Sequence, residues 1–114
     1  MRVALLAAPK SFEATLGDLP SDVTVRTAAR GSFDVVLLFC KDGKTFDARL
    51  PAAVRALASR GALWIAWPKR TSPLAKDLSG DIVRERGLTT GLVDVKVCAI
   101  DEDWSGLRFV RRKG

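Results

Sequence analysis

The run Phe33-Asp34-Val35-Val36-Leu37-Leu38-Phe39-Cys40 constrains the fold more than any other stretch, because no polar residue follows Asp34 within it. A strand wet on one face would alternate apolar with polar. A continuous β-branched and aromatic run reads as a strand buried on both faces. Val3 to Ala8, closed by Pro9, and Ala62 to Trp67 read the same way. Such strands need a covering layer on each side, so the sheet is expected to be mainly parallel with helices against it.

Helices fit between these strands. Ser11 caps a short one over Phe12 to Leu16. Another covers about Asp47 to Ser59, because Phe46, Leu50, Ala53, Val54, Leu57 and Ala58 share one face. Pro51 then falls in its first turn and Gly61 ends it. Ser79 caps a third over Asp81 to Leu88. Val23 to Thr27 alternates like a half-exposed edge strand. Val93 to Asp101 and Leu107 to Arg112 flank a short turn, which makes them an antiparallel hairpin. One link strains this scheme. About five residues join the second strand to the third, where a parallel crossover usually takes a dozen or more. The second strand is therefore either very short or reversed.

At 114 residues and 47% hydrophobic content the chain is one domain, residues 1–114, with enough apolar mass for a single core. No apolar run approaches the roughly 18 residues that span a bilayer, so no membrane partner is expected. The opening MRVALLAAPK is too briefly apolar to read as a secretory signal. Cys40 and Cys98 stand far apart in apolar settings, which suits reduced thiols in a cytoplasmic protein. The chain has no His. That removes every His-based triad and every imidazole-ligated metal. No metal site, catalytic residue or cofactor is assigned. Nineteen Lys and Arg against thirteen Asp and Glu give +6, which favours an anionic small molecule or an acidic protein as partner. The positive residues are scattered and match no nucleic-acid-binding motif.

In open α/β sheets, ligands bind outside the carboxyl ends of the strands. Three strand ends each supply a lysine: Lys10 with Ser11, Lys41 with Lys44, and Lys69 with Arg70, Thr71 and Ser72. With Trp67 at the last strand's end, these nine residues form a candidate anion-binding rim. The plainer alternative is that loops at strand ends are polar and solvated. Trp67 either packs under its loop or stacks on a ligand, while Trp64, three residues earlier, points to the other face and into the core. Trp104 belongs to the hairpin turn beside Asp101, Glu102 and Asp103, and is expected to fold back on the sheet. Those three acids could hold a divalent cation, or are simply solvated. Cys40 and Cys98 are expected to be inert core thiols.

FDVVLLF, RGALWIAWPK and VDVKVCAIDEDWSGLRFVRR resemble the fourth, fifth and last two strands of the class I methyltransferase fold. WIAWPK and GLVDVKVCAIDEDWSGLRFV further resemble an uncharacterised bacterial family, domain of unknown function 3052, across nearly the whole chain. The resemblance implies a three-layer α/β/α Rossmann-like sandwich with strand order about 2-1-3-4-6-5 and no established activity. Methyltransferases carry a glycine-rich loop after strand one and an acid at the end of strand two. Here LLAAPKSFEA has no glycine, and the second strand ends Arg26-Thr27. Both cofactor determinants are missing. The expected function is a non-catalytic binding module, with a degenerate S-adenosylmethionine-dependent enzyme as the alternative.

Overall fold

The computed structural model describes residues 2–8, 22–28, 30–100 and 103–111. Strands β1 (Arg2–Leu6), β2 (Thr24–Arg26), β3 (Phe33–Phe39), β4 (Leu57–Pro68), β5 (Leu92–Ala99) and β6 (Trp104–Arg111) form one sheet in the order β2-β1-β3-β4-β6-β5. The first four in that order run parallel. β6 is antiparallel to both β4 and β5. The expected order and closing hairpin are both present.

The short link between β2 and β3 has a simple geometric answer. β2 is parallel to β1 and only three residues long. Arg26 ends opposite Ala4, and Val35 already lies opposite Val3 on the other side of β1. The chain needs to drop back only a few residues before entering β3, so no crossover helix is required. The shortness of β2 resolves the strain, and not a reversal.

Helices α1 (Gly43–Arg55) and α2 (Gly80–Leu88) both pack on one face of the sheet. Phe46, Leu50 and Ala53 from α1 and Val83 from α2 meet Leu38, Ile65, Trp67 and Phe109 there. Leu5, Phe39, Ala66 and Trp104 make a smaller cluster on the opposite face. The expected helix over 12–16 lies outside the described residues. Trp67 is buried in the helix-covered core, whereas Trp64 on the other face is only half-buried.

α1 begins four residues before its expected start and ends four before its expected end. Asp42 is its N-cap, accepting from the Thr45 amide at 2.8 Å. A capping aspartate outweighed the apolar stripe as the start signal. Pro51 therefore sits inside the helix and not in its first turn, on the exposed side. The chain after Ala56 enters β4 directly, so Gly61 lies within that strand. The β3–β4 register slips there, from Phe33–Leu57 to Val35–Ala62. A Cβ on Gly61 would stand 2.9 and 3.0 Å from the carbonyl oxygens of Phe33 and Asp34. Gly61 permits this close backbone approach; it does not end a helix.

The hairpin turn is shorter than expected. Trp104 is the first residue of β6, opposite Pro68. It packs edge-on against Phe39, ring centroids 5.1 Å apart. Arg111 ties β6 to the end of α1: its Nη2 donates to the carbonyls of Val54 and Leu57, 2.8 Å each. Arg112 and Lys113 lie outside the described residues.

Candidate functional site at the carboxyl edge

β1, β3 and β4 finish together, because Leu38 pairs with Leu6 and Ile65. β6 starts at the same edge, which adds Trp104 to the strand ends. A cavity of about 640 Å³ opens there. Its apolar part is Ala7, Phe39, Ala48 and Trp104; its polar part is Lys41, Asp42, Lys44, Thr45 and Arg49. The volume is within the range of small-ligand sites. Ala7 leaves β1 in the left-handed region, φ 58°. For a residue with a Cβ that conformation costs about 1–2 kcal/mol, and such strain gathers at ligand sites.

A second cavity of about 330 Å³ lies beside it, lined by Trp67, Arg70 and the segment Ala75 to Gly80. The two adjoin through one hydrogen bond. Asp77, which lines the smaller cavity, accepts from the Gly43 amide at 2.8 Å. Asp42 and Lys44, flanking Gly43, line the larger one. The first amides of α1 are thus satisfied by two carboxylates of the chain itself. Asp42 is held below its ordinary carboxylate value, first by the Thr45 amide, then by a further Thr45 hydrogen bond.

Of the nine expected rim residues, the seven described ones do not line a single cavity. Lys10 and Ser11 lie outside the described residues. Lys41 and Lys44 line the larger cavity, and Trp67 and Arg70 the smaller. Lys69, Thr71 and Ser72 line neither. Lys69 donates its amide to the Asp103 carbonyl at 2.7 Å. Ser72 is buried; its hydroxyl donates to the Asp103 carboxylate at 2.9 Å and accepts from the Leu74 amide. Ser72 therefore holds the β4–α2 loop to the start of β6. Asp103 is engaged in that contact; Asp101 and Glu102 lie outside the described residues. Cys40 is fully buried, and burial pushes its thiol up to about 12. Cys98 is half-buried on the edge strand β5, not in the core.

Thr45, Ala48, Arg49, Asp42, Phe39 and Ala7 were not anticipated as site residues. A signal for several of them exists. Lys41, Lys44, Thr45, Ala48 and Arg49 follow the i, i+3, i+4, i+7, i+8 spacing of one helical face. With the helix start placed at Asp47, that stripe cannot be seen.

This sheet, its order and its antiparallel last pair define a class I methyltransferase-like Rossmann fold. The chain belongs to a protein family of unknown function, DUF3052, whose model matches residues 10–113. Three solved structures illustrate the fold. The glycopeptide N-methyltransferase MtfA complexed with S-adenosyl-L-methionine superimposes with TM-score 0.63 at 12% identity, over 97% of this chain and 87% of its own. A TehB-like SAM-dependent methyltransferase from Corynebacterium glutamicum gives 0.61 at 10% identity, over 97% and 80%. The ribosomal protein L11 methylase from Lactobacillus delbrueckii subsp. bulgaricus gives 0.64 at 12% identity, over 98% and 70%. No curated protein sequence matches the chain. Among the described residues, no helix is long and apolar enough to cross a membrane.

Proposed function

We propose that this protein is a small-ligand-binding domain whose larger carboxyl-edge cavity takes an anionic molecule without transforming it. The observation that carries this is a cavity lined by three cations, Lys41, Lys44 and Arg49, against one acid, Asp42, together with the aromatic Phe39 and Trp104. Cations beside aromatic side chains suit an anion with a flat or apolar body, such as a nucleotide or an aromatic acid. The Gly43 and Thr45 amides of α1 are not available to the anion, since Asp77 and Asp42 take them. The lysine and arginine side chains are the main donors left to it.

A second reading keeps the cofactor of the fold's enzymes. It is favoured by the likeness to MtfA, which is complexed with S-adenosyl-L-methionine. Against it stand the positive lining, which repels a sulfonium, and the glycine-free end of β1.

Both readings are tested by following Trp fluorescence and melting temperature in titrations with phosphate, AMP, benzoate and S-adenosylmethionine. Saturable AMP or benzoate binding, weakened about tenfold in Lys41→Ala or Arg49→Ala, is expected. Saturable micromolar binding of S-adenosylmethionine with no response to the anions would transfer the support to the second reading. No response to any of them would leave a protein partner as the occupant of this edge.

A further inference from the structure

We propose a second, independent anion site, specific for a phosphate group, where Arg2, Arg26 and Arg30 line one cavity of about 270 Å³ by the edge strand β2. It goes beyond the carboxyl-edge reading and does not depend on it. Arg2 opens β1 at the amino end of the strand, and Arg30 leads into β3. Thr27 and Ala28 complete the wall.

Arg2 is held by its surroundings. Its backbone amide donates to Asp34 Oδ2 at 2.8 Å. Its guanidinium carbon lies 4.9 Å from the centroid of the Phe33 ring. Gly31 makes room for it: the backbone there has φ +97°, and a Cβ would meet Arg2 Nη2 at 3.2 Å. Stacked and walled in, the guanidinium loses little freedom on meeting a ligand.

Among the described residues, no carboxylate is seen in an ion pair with these guanidinium groups; the ion pairs are Arg84–Asp94 and Arg86–Asp47. The Asp34 carboxylate engages the Arg2 amide. Arg26 donates weakly to the Val25 carbonyl at 3.4 Å, which leaves most of its fork unused. Three arginine side chains lining one small cavity gather positive charge there, which a bound anion would offset. Forked N–H donors match the paired oxygens of phosphate. A lone carboxylate offers two oxygens and one charge, and satisfies at most one fork. The size of the cavity favours the terminal phosphate of a small metabolite over a tract of nucleic acid.

The full chain, labelled with ¹⁵N, is titrated with inorganic phosphate, glycerol 3-phosphate, acetate and a single-stranded DNA oligomer. Saturable shifts of the Thr27 and Gly31 amides with both phosphates at millimolar concentration are expected. Arg26→Lys and Arg30→Lys, which keep the charge and leave the core untouched, should weaken that binding roughly five- to tenfold. Lys41→Ala should leave it unchanged, which separates this site from the one at the carboxyl edge. The proposal is overturned if no phosphate saturates these amides, if acetate binds as tightly, or if both lysine variants bind like the parent. It is overturned equally if the DNA oligomer alone binds, with steep salt dependence.

Discussion

The two ends of the sheet are held together by different means. At the carboxyl end, loops are fastened by carboxylates: Asp42 to the Thr45 amide, Asp77 to the Gly43 amide, Asp103 to the Ser72 hydroxyl. At the amino end, by β3 and β4, the chain is shaped by close backbone approach at Gly61 and a left-handed Gly31 against Arg2. The carboxylates at one end are occupied internally, so the lysines around them face outward into a cavity. At the other end Asp34 takes a backbone amide, and the arginines are left to face a smaller one. Both ends thus present cations; three carboxylates fasten loops at the first, whereas at the second Asp34 alone accepts a backbone amide and close packing at glycines does the rest. Steric fit does not titrate; a carboxylate cap does.

The largest effect should come from breaking the fit at the amino end. Gly61→Ala places a methyl within 3 Å of the Phe33 and Asp34 carbonyl oxygens and of Leu57 Cδ1. Two of those atoms are backbone and cannot rotate aside. A loss of about 1–3 kcal/mol is expected, read as a lower urea midpoint and independent of pH between 5 and 8. An unchanged midpoint would mean that the slip between Phe33 and Val35 is loose, and the contrast between the two ends would fail.

Asp77→Ala tests the carboxyl end and should cost less. It leaves the buried Gly43 amide without its acceptor, worth about 1 kcal/mol where water can partly replace it. Hydrogen exchange at Gly43 should accelerate together with exchange in the loop before α2, while amides of β3 stay protected. Acceleration across the whole sheet would show that the loop is no separate unit.

What was legible in the sequence follows the same division. The apolar strands and the hairpin could be read, because continuous apolar runs have few other uses; the strand order came only with the resemblance to the methyltransferase fold. The Ser79 cap of α2 could be read too. The start of α1 was missed. Asp42-Gly43 looks like a loop, and only the accepted Thr45 amide makes Asp42 a cap. That error hid the stripe from Lys41 to Arg49. The joining of loop to helix through Asp77, 34 residues from Gly43, leaves no local trace in sequence. Nor does the splitting of the expected rim into two cavities, since strand ends predict an edge but not how loops partition it. The arginine cavity was invisible for the same reason: Arg2 and Arg30 meet only because β1 and β3 are neighbours.

The smallest effect should appear in acid. In the folded chain the Asp42 carboxyl is held below its ordinary value of 3.8, mainly by the Thr45 amide, with Lys76 and Lys41 adding to the shift. In the unfolded chain it returns to about 3.8. A depressed folded value means that the folded state keeps the charged form longer than the unfolded state does. Its contribution to stability is therefore complete above the unfolded value and is lost as pH falls through the folded one. Asp42→Asn keeps an acceptor for Thr45 but cannot titrate. The parent should be slightly more stable than the variant at pH 6, and the two melting temperatures should converge as pH falls below 3.8 and through the lower folded value. Asp42 is half-buried at the surface, where solvent screening keeps the difference small. Curves that stay parallel through that window would show that the cap works through geometry alone, and would erase the one chemical distinction between the ends that pH can reach.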